Sequence, residues 1–513
     1  MRFSVFPILS LPLVGAFVGP ITTLQTFKVK SLLSSPQLEQ EQVATVTKEK
    51  TITKPVKREQ ITSFILSPLD NSPPLELPPE NKRPGLVEDV KFKCDNSVDF
   101  WKDFASEGNS KNLDRVRSIV AKHVLDASPE SRAYWVSHVL RTSYFLSNAA
   151  LGLLGTDLHT RFITNRNSRD QSEKKDGRLG TMLNSNSDVS TRLLLEAMLC
   201  YEQDWENIHD GRIEFPWDAF VVRQGNSFQF QTSHKQFNPL FALQETSRLV
   251  RESIGVFGRQ NKFGGKPGGV WIDQQNASKT PYPEYYLNDF HYQTDGWMSN
   301  ESAERYDIST ETLFLGRQDS MQRQTLLPLH SHFGTNEPKT LLEVACGTGR
   351  FATFTRDNFR STDVTLMDLS PFYLEKARRN DEYWRKYQQV DKETTAATFV
   401  QANAEYLPFE DNSFDCVTCV YLFHELPETA RAQAAAEMAR VVKKGGIVVL
   451  TDSVQLGDRP GMDENIGRFS NLNEPHYQNY IRTEIAPLFE KHSLVCHEKY
   501  VASSTKTLSF IKR

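Results

Sequence analysis

Two periodicities divide the chain. From Leu86 to about Asn261 apolar residues recur at helical spacing, and Trp135, Val139, Leu146, Ala150 and Leu153 mark one such face. Ser128-Pro129-Glu130 opens that helix with a capping hydroxyl and a first-turn proline, and Gly155 is a natural stop. The same spacing predicts a second helix over Val189–Ile208, with Leu193, Leu194, Met198 and Tyr201 inward. A third is predicted over Asn238–Phe257, with Leu240, Leu243, Leu249, Val250 and Ile254 inward. The polar stretch Asn165–Ser190 reads as a long surface loop. Beyond residue 340 short apolar runs alternate with helical segments. Strands are predicted at Thr340–Val344, Asp363–Asp368, Ala397–Gln401, within Asp411–Tyr421 and at Ile447–Asp452. Pro427–Val442 is an amphipathic helix with Ala430, Ala434 and Met438 inward, and Lys443-Lys444-Gly445-Gly446 reads as its C-terminal turn. Repeated strand–helix units predict an α/β fold with a parallel, doubly wound sheet, preceded by a mainly helical region.

Composition narrows this little. Among 513 residues, 60 basic against 64 acidic give a net charge of −4, without the basic excess of a nucleic-acid binder. Six cysteines, mostly far apart, are too few for a disulfide scaffold. Cys416 and Cys419, three apart on a strand, point to opposite faces and cannot share a metal. Tyr201, Asp204, Trp205, Pro216, Trp217 and Asp218 form either a pocket wall or a packed turn. Phe263–Gly269 lacks the ending of a phosphate loop and reads as a turn.

The chemistry concentrates after residue 340. Glu343-Val344-Ala345-Cys346-Gly347-Thr348-Gly349 carries a buried strand into a glycine-rich turn and a helix. Asp368, 19 residues beyond Gly349, ends the next strand, where a carboxylate can accept two ribose hydroxyls. A nicotinamide dinucleotide site would carry a third glycine where Ala352 stands. An acid ahead of the loop would repel a pyrophosphate but suits a cationic methionine ammonium, which favours S-adenosyl-L-methionine. His424 and Glu425 follow the fourth strand, toward the acceptor region, and His424 is the leading candidate for a general base. Its alternative role is a helix cap or a satisfied polar residue. His291, Tyr292 and Asp295 belong either to a lid over the cofactor or to a packed linker.

Residues from about 340 to 453 resemble the class I methyltransferases of the type 11 group, which includes the ubiquinone and menaquinone C-methyltransferases. The resemblance implies a seven-stranded sheet with one antiparallel strand, for which Leu494–Val501 and Thr505–Ile511 supply the last two. It implies an S-adenosyl-L-methionine loop at Glu343, Ala345, Gly347, Thr348 and Gly349, ribose contact at Asp368 beside Leu369, and adenine contact at Asn403 and Ala404. The family more often has Gly at Ala345, and Ala there is expected to need φ below zero. Tyr282–Tyr286, His291–Trp297, Ser302–Tyr306, Asp452–Asp458 and Glu474–Tyr477 resemble a cyanobacterial and plastid methyltransferase set. The expected partner is a small methyl acceptor, a quinol or another apolar aromatic, with no nucleic acid and no membrane span in the mature chain. A non-catalytic assembly or regulatory protein that keeps the fold is the alternative.

The first residues read as an address. Met1-Arg2, a short apolar run to Val18 and small residues at Gly15 and Ala16 fit a signal peptide. Val14–Pro20 resembles the junction of bipartite presequences for secondary red plastids, and Thr26–Pro36, with Lys28 and Lys30 and no acid, fits a transit peptide. Plain secretion is the rival. Recurring prolines from Pro68 to Pro84 predict an extended linker. The organisation expected is a presequence and linker over residues 1–85, a helical domain over 86–280 and a methyltransferase domain over 281–513.

Overall fold

A computed structural model describes residues 75–104, 108–125, 127–159, 187–219, 221–224, 227–230, 235, 238–262, 282–388 and 396–513. The presequence, the predicted loop over 165–186 and the glycine-rich segment 263–269 lie outside them. The described residues fall within one compact unit.

The strands are β1 (Lys93–Cys94), β2 (Val221–Gln224), β3 (Ser227–Phe230), β4 (Thr340–Val344), β5 (Asp363–Asp368), β6 (Thr398–Gln401), β7 (Phe414–Val420), β8 (Val442–Ser453), β9 (Leu494–Ala502) and β10 (Thr505–Lys512). β2 and β3 form a separate antiparallel pair. The other eight make one sheet in the order β1-β9-β10-β8-β7-β4-β5-β6, antiparallel only where β10 meets β8 and β9. Seven of these reproduce the expected doubly wound sheet. The eighth, β1, comes from the helical region.

The predicted turn at Lys443–Gly446 is instead the first part of β8, where the pairing with β7 slips between Phe414 and Cys416. Gly445 takes φ +74°, and a Cβ on Gly446 would meet the Asp415 carbonyl at 2.6 Å, so the irregularity needs both glycines. Lys443 pairs with Asp415 at 2.7 Å rather than with the helix end. Cys416 and Cys419 are fully buried in separate clusters on the two sides of the sheet, as alternation requires.

The helices run Pro129–His159, Ser187–His209 and Pro239–Lys262, each longer than its periodicity suggested. In the first, the buried face is rotated toward Tyr134, His138, Thr142, Phe145 and Asn148, while Val139, Leu146 and Ala150 are only partly covered. Met198, Tyr201 and Leu249 are buried as expected, but Leu240 and Leu243 are 70% and 66% exposed. The rotation has a polar cause. Arg323 pairs with Asp204, which also accepts from the Tyr134 hydroxyl at 2.6 Å, and these groups must face one another to be satisfied.

The core crosses residue 280 without a break, Trp101, Trp135 and Tyr201 sharing a cluster with Leu342 and Val417. Buried charges seal the same contact. Lys506 bonds Glu88 at 2.5 Å, Lys499 bonds Asp89 at 2.5 Å, and Arg459 pairs with Glu196 while stacking 4.8 Å over Trp101. Residues 75–88, of which those up to Pro84 were expected as extended linker, pack on this face. Leu75 N donates to Glu464 O, Arg83 bonds Asp463, and Pro84 begins a helix through Glu88. Among the described residues no helix is long and apolar enough to cross a membrane.

Candidate active site

A crevice opens at the carboxyl ends of β4, β5, β6 and β7. Its wall includes Ala345, Gly347, Asp368, Leu369, Asn403, Ala404 and Glu425, which brings together seven of the residues singled out from sequence. The turn after β4 explains why. Gly347 holds φ +55° and a Cβ there would meet nothing within 4 Å, so its backbone faces open space. Its N–H donates to Asp368 Oδ2 at 2.8 Å, and Ser370 N donates to Oδ1 at 2.8 Å. Burial raises the Asp368 carboxyl to about 6 against these donors, which hold it down.

Ala345 adopts φ +56°, not the negative φ expected of it. The turn imposes the left-handed conformation whatever residue stands there, at about 1 kcal/mol for a side chain. Glu343, Thr348 and Gly349 lie behind the wall rather than on it. Thr348 Oγ1 donates to Asp307 at 2.6 Å, and a Cβ on Gly349 would meet Ala377 at 2.9 Å, so this glycine serves helix packing. Glu343 is 1% exposed, and its Oε2 has no hydrogen-bond partner among the described residues. Burial, with Asp368 adding to it, pushes the carboxyl up to about 8.

His424 does not reach the wall. Its Nδ1 lies 2.6 Å from Asp452 Oδ1, and Phe469, Tyr477 and Tyr480 surround the ring. Burial alone would lower its pKa, but Asp452, with Glu425 and Glu474 behind it, raises it to about 9. Its ring is thus held by Asp452, off the crevice wall, the placement that the alternative role of a satisfied polar residue describes. Glu425, its neighbour, stands on the wall with a carboxyl raised well above the ordinary range by burial and by Glu474.

The segment before the sheet closes the crevice. Tyr285, Tyr286, Trp297 and Tyr306 line it, whereas the residues expected to do so do other work. His291 lies 2.8 Å from Glu474, the Tyr292 carbonyl accepts from Arg259 at 2.5 Å, and Asp295 takes φ +57° at a turn. Tyr285 donates to Glu405 at 2.7 Å, and Glu405 is held by Asn403; Ser370 Oγ donates to the Trp297 carbonyl at 2.5 Å. Sequence reasoning missed the four aromatic residues, although their density between residues 282 and 306 was the available signal. Closed in this way the crevice holds about 100 Å3. That is below the roughly 300–1,000 Å3 of small-molecule sites.

Residues 341–446 match the methyltransferase domain family. Those residues thus carry a methyltransferase domain. Demethylmenaquinone methyltransferase of Deinococcus radiodurans is 31% identical over 150 residues, 29% of this chain and 56% of that protein. Ubiquinone/menaquinone biosynthesis C-methyltransferase UbiE of Haemophilus ducreyi is 32% identical over 151 residues, 29% of this chain and 53% of that protein. The chain thus spans little more than half the length of the curated relatives it matches. Magnesium protoporphyrin IX methyltransferase of Synechocystis PCC 6803, solved with bound SAM, is 14% identical, with 38% of this chain and 81% of that one covered at a TM-score of 0.29. The methyltransferase domain fits its cofactor chemically: an orphaned buried carboxylate, an open glycine and a strand-end acid converge within it.

Proposed function

We propose that this chain transfers the methyl group of S-adenosyl-L-methionine to a small apolar acceptor, a quinol or another lipid-soluble aromatic, in a plastid. One observation carries the reading: the buried, unpartnered Glu343 stands behind the same crevice that Gly347 and Asp368 line. When bound, the cofactor supplies an electrophilic methyl group, which leaves the protein chiefly to orient the reactants and exclude water.

Glu343 would hold the methionine ammonium and Asp368 the ribose hydroxyls, with Asn403 and Ala404 flanking the base. The aromatic segment shuts water out. Glu425 is the titratable group at the acceptor end, its carboxyl raised by burial and by Glu474. The quinone methyltransferases among the relatives and the apolar character of the helical region support a quinol-like acceptor. The plastid assignment rests on the leading residues, with their signal-like and transit-like composition.

Incubating the full chain with methyl-labelled cofactor and a plastid metabolite extract tests the reading. Label should enter an organic-extractable aromatic. Tight cofactor binding without any labelled product would support the non-catalytic alternative instead.

A further inference from the structure

We propose that Trp297 and Tyr306 recognise the positive charge on the cofactor's sulfur, so that the crevice prefers S-adenosyl-L-methionine to the uncharged S-adenosylhomocysteine. This deepens the methyl-transfer reading and rests on it in one respect, the placing of the cofactor in this crevice.

The composition of the wall is one-sided. Six aromatic side chains line it, Tyr285, Tyr286, Trp297, Tyr306, Tyr373 and Tyr421, together with Asp368 and Glu425. No lysine, arginine or histidine is among the described residues on the wall. His424, off the wall, has its Nε2 3.9 Å from Glu425 Oε1. The face of an aromatic ring carries negative potential whatever the protonation of the acids around it. The attraction these rings offer a cation therefore does not depend on the charge state of Glu425.

Three of the rings form a corner. Trp297, Tyr306 and Tyr373 stand with centroids 5.4–5.6 Å apart and planes inclined at 69–83°. The Tyr373 hydroxyl is tied to Gln293 and Ser302 at 2.8 and 2.9 Å. Ser370 joins the corner to the expected ribose acid. Its Oγ donates to the Trp297 carbonyl and accepts from Tyr373 N at 3.2 Å, while its N–H donates to Asp368 Oδ1 at 2.8 Å. The sulfur of the cofactor is attached to its ribose through a single carbon, so rings anchored beside Asp368 come within reach of it. Tyr306 is half-buried and Trp297 is 8% exposed, whereas Tyr373, at 2%, backs the other two.

The methylated and demethylated forms of the cofactor share every hydrogen-bonding group and differ in one methyl and one charge. Contacts to adenine, ribose and the amino-acid tail cancel in the comparison, and a difference in affinity reports what the wall does with the charge.

Calorimetric titration of the full chain with S-adenosyl-L-methionine, S-adenosylhomocysteine and sinefungin, whose protonated amine carries the charge without the sulfonium, tests the proposal. The two cations should bind about tenfold tighter than S-adenosylhomocysteine. Tyr306→Leu should cut that preference to about threefold or less while moving S-adenosylhomocysteine by less than about twofold, and Tyr306→Phe, which keeps the ring, should retain it. Trp297→Leu should behave as Tyr306→Leu does, and if it does not fold, the two Tyr306 variants decide. Equal affinities in the wild type, an intact preference in Tyr306→Leu, or a loss shared equally by all three ligands would overturn the proposal and leave the cofactor in the crevice. No binding of any of the three, or binding that Asp368→Ala leaves undiminished, would overturn that placement and the proposal with it.

Discussion

The seam between the helical region and the sheet and the crevice at the strand ends bury charge in opposite ways. At the seam every prominent charge has a counterpart. Lys506 meets Glu88, Lys499 meets Asp89 and Arg459 meets Glu196. In the crevice the charges are kept waiting. Glu343 has a bare oxygen, Asp368 has only backbone donors and Glu425 is raised far from its ordinary range. Both arrangements cost desolvation. The seam recovers it on folding, whereas the crevice recovers it only when a ligand arrives.

That contrast can be broken most sharply at the seam. Lys506→Met leaves Glu88 buried without its cation, while Asp458 keeps Lys499, and should destabilise the protein by about 3–5 kcal/mol in urea unfolding. Glu343→Gln should do the reverse. It should leave apo stability at pH 7 unchanged or improved, while weakening S-adenosyl-L-methionine by about 2–5 kcal/mol in calorimetry, the cost of truncating one partner of a buried charge pair.

The pH dependence follows from the same group. The Glu343 carboxyl is raised from 4.5 to about 8 on folding, so its contribution is fully present below pH 4.5 and is lost as pH rises through 8. The wild type should therefore lose roughly 3–5 kcal/mol relative to Glu343→Gln over that window, read from unfolding at several pH values. Asp368→Ala should weaken the cofactor by about 1–3 kcal/mol through the lost ribose hydrogen bonds. Ala345→Gly should have the smallest effect, a gain of up to about 1 kcal/mol in stability as left-handed strain is relieved.

The sheet was legible in the sequence because its strands are short apolar runs separated by punctuation. β4, β5 and β7 fall where alternation put them, and β9 and β10 follow the family resemblance. β1 was not legible: two residues carry no period, and their pairing with β9 depends on about 400 intervening residues. The helices were found but their faces were not. Tyr134, His138 and Thr142 are turned inward by partners distant in sequence, which a hydrophobic count scores as surface. In the site, glycines and acids at fixed spacing marked Gly347 and Asp368. For His424, proximity to the fourth strand says nothing about Asp452, which lies 28 residues further on and holds its ring. The aromatic cover was hidden for another reason: Tyr and Trp serve cores and pockets alike.

The two residues of β1 have a consequence out of proportion to their length. They lie alongside the last parallel strand of the sheet, where β9 would otherwise offer a row of unpaired amides and carbonyls to any passing chain. Their shortness leaves too little template for a further strand to extend the array. The segment leading into the helical region thus pairs part of an edge that would otherwise stand open.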